Sequence, residues 1–123
     1  MILLPQKYTV NFDGIERNIF FNIETIYRIE EKIDKPIAEI LSEIVKDSSY
    51  KNACIVLTEL FNNDTDIYNE ENNDKRKHID EKYIAKKCSF AVLGKLCALA
   101  FKAFYDTLPE NDDPNAQSGN LKR

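Results

Sequence analysis

Apolar residues follow two different spacings along this chain, and the change between them predicts its elements. Near the N-terminus, Tyr8, Val10 and Phe12 alternate with polar residues, and Asp13-Gly14 then supplies a dipeptide suited to a type I′ turn. Residues 15–21 read as the return strand. From there onward, apolar residues recur at every third or fourth position, which is helical spacing. The pattern predicts a mainly α protein, with an N-terminal β-hairpin packed on a bundle of about five helices.

Capping residues and breaks between apolar stripes mark the predicted helix boundaries. Asn22 is a candidate N-cap for the first helix, and Asp34-Lys35-Pro36 separates that helix from the second. Asp47-Ser48-Ser49 separates the second helix from a third, which we expect to be central and to end near Phe61. The fourth helix is predicted to begin at Asp80, as its N-cap.

The last helical stretch, residues 90–108, is apolar on more than one face. A helix of this kind must be enclosed by its own domain or by a partner. Gly94 inside the stretch predicts the close approach of another helix. Across the whole domain, the positions expected to be buried are Ile26, Ile29, Ile40, Leu41, Leu57, Leu60, Leu93, Leu96 and Phe101.

Two segments have no apolar periodicity. Residues 62–77 are polar and largely acidic, which predicts a mobile surface loop inside a single domain of residues 1–108. Residues 109–123 predict a polar, disordered tail. The loop begins with the spacing of a calcium-binding loop, but Ile67 stands where a Gly must make the turn, and Asn73 stands where a bidentate Glu is needed. We therefore predict no metal site.

Composition and charge exclude several classes of function. The formal net charge is −4, whereas a nucleic-acid surface needs clustered cations to neutralise phosphates. No apolar run approaches the roughly 20 residues that a membrane helix requires, and no signal peptide is evident. The three cysteines show no CxxC spacing and predict buried free thiols in a reducing cytoplasm.

No residue set in the chain predicts catalysis. His78 is the only histidine, so neither a histidine pair for zinc nor a nearby Cys–His pair is present. The paired carboxylates Glu30-Glu31 and Glu70-Glu71 have no pocket signal around them, and three scattered glycines cannot form a phosphate-binding loop. We expect no enzymatic activity, no catalytic residue and no cofactor.

The order and spacing of the elements over residues 8–115 carry a family resemblance. The motifs are the strand end 18–23, an aliphatic-Glu-Glu helix at 27–33, and the segment Lys35-Pro36-Ile37-Ala38-Glu39-Ile40-Leu41. A capped acidic helix at 79–84 and a long apolar helix ending Leu108-Pro109-Glu110 complete them. In these features the chain resembles the tail assembly chaperones of long-tailed bacteriophages and prophages, small proteins encoded just before the tape measure gene. The segment 62–77 is longer and more acidic than the family pattern.

The resemblance implies a role without catalysis. Such chaperones coat the long, helical, aggregation-prone tape measure protein in the host cytoplasm until tail tube subunits assemble around it, and they are absent from the mature virion. We expect apolar surface on the C-terminal helices to bind this partner, with Phe90, Phe104, Tyr105 and Phe20 as candidate contact residues. The edge of the hairpin offers self-association by strand addition.

Two other functions fit the same sequence. One is a small phage-encoded regulatory or inhibitory protein that docks on a host factor through the acidic segment, with Ile67 and Tyr68 as its contacts. The other is a structural head-tail connector component that stays in the particle. A downstream gene for a very long helical protein would favour the chaperone.

Overall fold

The computed structural model describes residues 7–108, so the predicted tail at 109–123 lies outside the described residues. Within the described range, a two-stranded antiparallel sheet precedes five helices, which confirms the predicted fold class. The elements are β1 (Tyr8–Phe12), β2 (Ile15–Ile19), α1 (Ile23–Ile33), α2 (Ile37–Asp47), α3 (Tyr50–Asn72), α4 (Glu81–Lys87) and α5 (Phe90–Tyr105).

The hairpin turns at the predicted dipeptide. Asp13 has φ 55° and Gly14 has φ 84°, the positive values that a type I′ turn requires at both central positions. The turn is anchored to α4, because the Tyr83 hydroxyl donates to the Asp13 carboxylate and Lys87 Nζ lies 3.7 Å from it. The return strand ends at Ile19, two residues earlier than predicted.

Side-chain caps begin three of the helices. Asn22 Oδ1 accepts from the Thr25 N–H at 2.8 Å, and Asp80 Oδ1 accepts from the Tyr83 N–H at 2.8 Å, so both predicted N-caps are confirmed. Ser89 Oγ accepts from the Val92 N–H at 3.1 Å at the start of α5. Each cap satisfies a backbone donor that has no partner inside its helix.

Helix α3 is the centre of the molecule, as predicted, because it contacts β2 and all four other described helices. Its side chains Leu57, Leu60 and Phe61 are fully buried. The other members of the core come from every element: Phe12, Ile19, Phe21, Ile29, Ile40, Leu41, Ile44, Ala53, Cys54, Val56, Ile84, Leu96, Ala100, Ala103 and Phe104. Of the expected core residues, Ile26, Leu93 and Phe101 are only half-buried.

The predicted loop at 62–77 is wrong over most of its length. Helix α3 continues to Asn72, and Asn62, Asn63, Asp64 and Thr65 are buried in it. These polar side chains face polar side chains of β2 and the segment after it instead of solvent. Arg17 Nη1 donates to Thr65 Oγ1 at 3.1 Å, and Asn18 Nδ2 donates to Asp64 Oδ1 at 3.1 Å. Polar pairing therefore replaces the apolar periodicity on which the prediction depended.

The connection between α3 and α4 is held by two asparagines of α3. Asn62 accepts from the Ile79 N–H at 2.9 Å and donates to the Ile79 carbonyl at 2.9 Å. Asn69 does the same to Arg76, at 3.0 and 2.9 Å. Each amide thus copies one rung of a β-ladder, and both ends of the connection are fixed on the helix.

Candidate partner-binding groove

An apolar groove lies beside the N-terminal half of α5, where the end of α2 and the start of α3 face it. It encloses about 330 Å³. Its walls come from the three helices and from the short link between α2 and α3. The lining residues are Ile44, Val45, Ser48, Ser49, Tyr50, Ala53, Phe90, Leu93, Gly94, Cys97, Ala98 and Phe101. This set is almost entirely apolar, which suits an apolar occupant.

Large side chains at the mouth of the groove are open to solvent. Phe90 is 74% exposed, Val45 is 61% exposed and Tyr50 is 54% exposed. The rings of Phe90 and Tyr50 meet edge to face with their centroids 5.7 Å apart, so the two walls touch at this end. Aromatic side chains at the edge of an apolar groove are the residue types that anchor protein partners.

The floor of the groove is made of small residues. Gly94 lines it, and a Cβ placed there would meet no atom within 4 Å. The expectation that another helix of this chain approaches Gly94 is therefore wrong for the described residues. Ala98, one turn further on, is also exposed. A partner could come close to the α5 backbone at these two positions.

Three exposed lysines follow lining residues of the groove in the sequence. Lys46 follows Val45, Lys51 follows Tyr50 and Lys95 follows Gly94, and all three lysines are exposed. Asp47 is the exposed acidic residue in the same stretch. Lysines close to the groove favour occupants with acidic residues beside their apolar stripe.

The structure separates the four predicted contact residues. Phe90 lines the groove, and Tyr105 is 60% exposed near the other end of α5, with its ring against Phe104. Phe104 is 8% exposed because its ring packs edge to face on Phe21, with the centroids 5.5 Å apart. Phe20 is also buried. Phe104 is therefore part of the core, and neither Phe104 nor Phe20 presents an exposed ring to a partner.

Sequence reasoning missed the contribution of α2 and α3 to the groove. Val45 and Tyr50 line the groove, and neither is among the contact residues that the sequence predicts. The available signal was the placement of both residues beside the cap-rich break at 47–49, where neither stripe can continue. Ile23 and Tyr27 on α1 are also exposed.

Cys97 lies on the groove floor, half-buried. Burial, with smaller effects from the Cys54 and Cys88 thiols, raises the pKa of the Cys97 thiol to about 11. All three cysteines are free thiols, as predicted, but only Cys54 is buried, whereas Cys88 and Cys97 are half-buried. Because a thiol reacts as its thiolate, Cys97 is an unreactive neighbour for an apolar occupant at neutral pH.

The alternative docking site at Ile67 and Tyr68 has a different form from the predicted loop. Both residues lie on α3 and are half-buried, and the Arg76 guanidinium stacks 3.5 Å from the centre of the Tyr68 ring. His78 Nε2 is 2.6 Å from Asp66 Oδ1 on the same helix. The acidic stretch is therefore an ordered helix surface with its own cationic partners.

Over residues 7–108, no group of three or more His, Cys, Asp and Glu side chains is arranged to hold a metal ion, and no helix is long and apolar enough to cross a membrane. Comparisons with protein-family models, curated proteins and solved structures found no match to this chain. The assignment of a function therefore rests on the motifs of the sequence and on the groove.

Proposed function

We propose that this chain is a phage tail assembly chaperone that binds the tape measure protein, keeps it soluble in the host cytoplasm and helps recruit tail tube subunits. The observation that carries the proposal is the exposed apolar groove beside α5, with open space over Gly94. In this role the protein leaves before the virion is complete. The sequence resemblance names the partner, and the groove supplies the physical means of binding it.

The shape of the groove suits an amphipathic helix. Recognition of this kind places apolar residues of one helix face, spaced three and four apart, into a groove between helices. Phe90, Tyr50 and Val45 provide exposed apolar surface at the mouth, while Gly94 and Ala98 let a second backbone approach. A tape measure protein is a long helix that needs its apolar stripe covered until the tube surrounds it.

Gly94 is better explained by the binding of a partner than by the folding of the domain. Glycine inside a helix costs about 1 kcal/mol relative to alanine. Nothing in the described part of the chain packs on Gly94, so the domain itself gains no close contact in return. A partner backbone lying on α5 at this point would use the space that a side chain would fill.

Exposed lysines next to lining residues of the groove suit an acidic partner segment. Lys46, Lys51 and Lys95 would face acidic residues that flank the apolar stripe of the partner helix. Such exposed charges act mainly on the rate of association and are screened by salt. Binding should therefore weaken as ionic strength rises, while the apolar contacts hold the complex together.

The test is co-expression with the tape measure gene that lies downstream, followed by measurement of soluble tape measure protein and by pull-down. Phe90→Asp places a charge at the mouth of the groove and should sharply reduce both signals. Ile23→Asp is the matched control, because Ile23 is 79% exposed on α1 and does not line the groove. Thermal melting of both variants should match that of the unmodified protein, since neither side chain is buried.

Two results would contradict the proposal. Tape measure protein that remains equally insoluble with and without this chain would exclude the chaperone function. Equal solubilisation by Phe90→Asp and Ile23→Asp would show that the groove is not the binding surface, even if the chain is a chaperone.

A further inference from the structure

A buried arginine lies on the face of the molecule that carries the hairpin, outside the groove. Arg17 projects from β2, is 5% exposed, and has its guanidinium carbon 5.4 Å from the centre of the Phe61 ring. Its Nη1 donates to Thr65 Oγ1 at 3.1 Å. A buried cation needs hydrogen-bonding partners and an opposite charge, since its desolvation is otherwise unfavourable.

The other edge of this guanidinium has no acceptor among the described residues. Arg17 Nε is buried without a hydrogen-bond partner, and Nη2 lies on the same edge as Nε. No described carboxylate lies within 4 Å of the guanidinium. The nearby Asp64 carboxylate accepts a hydrogen bond from Asn18. The Nε–Nη2 edge is the one with which arginine binds a carboxylate through two parallel hydrogen bonds.

Arg17 is part of the wall of a cleft of about 780 Å³. The cleft is also lined by Arg76 and Lys77, so three cations meet there with one carboxylate, that of Asp80. Asp80 is already engaged as the N-cap of α4 through its bond to the Tyr83 N–H. His78 lines the cleft as well and is paired with Asp66. Cations therefore outnumber carboxylates among the residues that line the cleft, and the Asp64 and Asp13 carboxylates act on Arg17 from outside this lining.

We propose that this cleft binds the carboxylate group of an acidic ligand, with the Nε–Nη2 edge of Arg17 as the two-pronged donor. Lys77 and Arg76 add attraction at the mouth, and Ile15, Ile79 and the Tyr83 ring provide apolar wall for the body of the ligand. The ligand is an organic acid or an acidic side chain of a bound protein segment, which share this carboxylate chemistry. The inference does not depend on the chaperone function.

Hydrogen bonds hold the walls of the cleft in place, as expected for a preformed binding site. Its floor is the buried seam between β2 and α3, and the segment carrying Arg76 to Ile79 is fixed by Asn69 and Asn62 through paired amide–backbone bonds. Burial is the main influence that lowers the pKa of Arg17, opposed by the Asp64 carboxylate. The guanidinium nevertheless stays charged at physiological pH, because arginine pKa values lie far above 7.

The experiment is an NMR titration of the full chain with sodium succinate, with sodium chloride adjusted to keep the ionic strength constant. The Nε–Hε signal of Arg17 should shift in a saturable manner as its proton gains an acceptor. A blocked tripeptide with a central glutamate is titrated in parallel. Tighter binding of the peptide would identify a protein side chain as the ligand, and tighter binding of succinate would identify a free organic acid.

Variants test the assignment. Lys77→Ala should weaken binding by about two- to five-fold, the effect of one exposed charge, whereas Lys86→Ala outside the cleft should leave it unchanged. Arg17→Lys keeps the charge but loses the forked edge, so it should abolish saturable binding. If Arg17→Lys does not fold, carboxylate binding in the cleft is still tested by the Arg17 Nε–Hε shift and by the comparison of Lys77→Ala with Lys86→Ala.

Three results would overturn the proposal. The first is an unshifted Arg17 signal at saturating succinate and peptide. The second is an equal effect of Lys77→Ala and Lys86→Ala, which would indicate general screening. The third is saturable binding of inorganic phosphate with none of either carboxylate, which would assign the cleft to a different anion.

Discussion

The N-terminal half of α5 and the C-terminal half of α3 reverse the usual relation between hydropathy and burial. Phe90, at the start of the most apolar helix, is 74% exposed, whereas Asn63, in one of the most polar stretches, is 3% exposed. Both segments are regular helix. The contrast shows that a side chain is buried when a complementary surface faces it, whether that surface is apolar or polar.

The two regions also differ in what faces them. The polar half of α3 meets Arg17, Asn18 and Asn22, which exchange hydrogen bonds with it. Most of its buried polar groups therefore lose water but keep partners, the exception being the unpaired Nδ2 of Asn63. The first half of α5 meets the ends of α2 and α3, which leave the groove open. The C-terminal half of α5, by contrast, buries Ala100, Ala103 and Phe104 in the core.

The largest expected effect separates the two halves of α5. Phe104→Ala should lower the free energy of unfolding by about 3–5 kcal/mol, because the ring is buried against Phe21. Phe90→Ala should change it by no more than about 0.5 kcal/mol. Urea unfolding followed by circular dichroism measures both. Similar losses for the two variants would mean that the start of α5 is covered by the domain.

A second prediction concerns the thiol on the groove floor. Because the pKa of Cys97 is raised to about 11, its alkylation at pH 8 should be about 100-fold slower than that of an unperturbed thiol. The rate should continue to rise up to about pH 11 as the thiolate forms. Peptide mapping by mass spectrometry after iodoacetamide treatment isolates Cys97 from the other cysteines. If the alkylation rate of Cys97 levelled off near pH 9, the thiol would be solvated and the floor of the groove accessible to water.

The polar half of α3 gives the third prediction. Asn62→Ala removes both bonds to the Ile79 backbone and should lower the free energy of unfolding by about 1–3 kcal/mol, since a partly buried N–H and C=O lose their partner. Glu70→Ala, on the exposed face of the same helix, is the control and should have little effect. If Asn62→Ala and Glu70→Ala lowered the free energy of unfolding by the same small amount, residues 62–77 would behave as the surface loop predicted from the sequence.

The smallest expected effect is that of Gly94→Ala, which should increase stability but weaken partner binding. Gly94→Ala should raise the free energy of unfolding by about 0.5–1 kcal/mol, because open space surrounds the added methyl group and alanine favours the helix. It should also weaken capture of the tape measure protein, since the methyl group occupies the floor of the groove. Ala38→Leu, exposed on α2 away from the groove, is the control for added apolar volume. Stabilisation with unchanged capture would place the partner elsewhere.

The sequence by itself determined the class of fold and most of the boundaries. Alternating residues and Asp13-Gly14 specified the hairpin, because only certain residues tolerate positive φ at both turn positions. Asn22 and Asp80 specified helix starts through caps that depend on neighbours only a few residues away. These features are local, so the order of residues is sufficient to predict them.

Tertiary structure decided which apolar and polar surfaces are covered. The continuation of α3 to Asn72 depends on side chains of β2 that lie more than 40 residues away in the sequence. Within residues 62–72, the only local indication of a helix is the lack of Gly and Pro. The groove depends on where α2 ends relative to α5, so Phe90 was identified from sequence while Tyr50 and Val45 were not. Periodicity gives the face that a helix prefers to bury, but the number and angle of its neighbours determine how much of that face they reach.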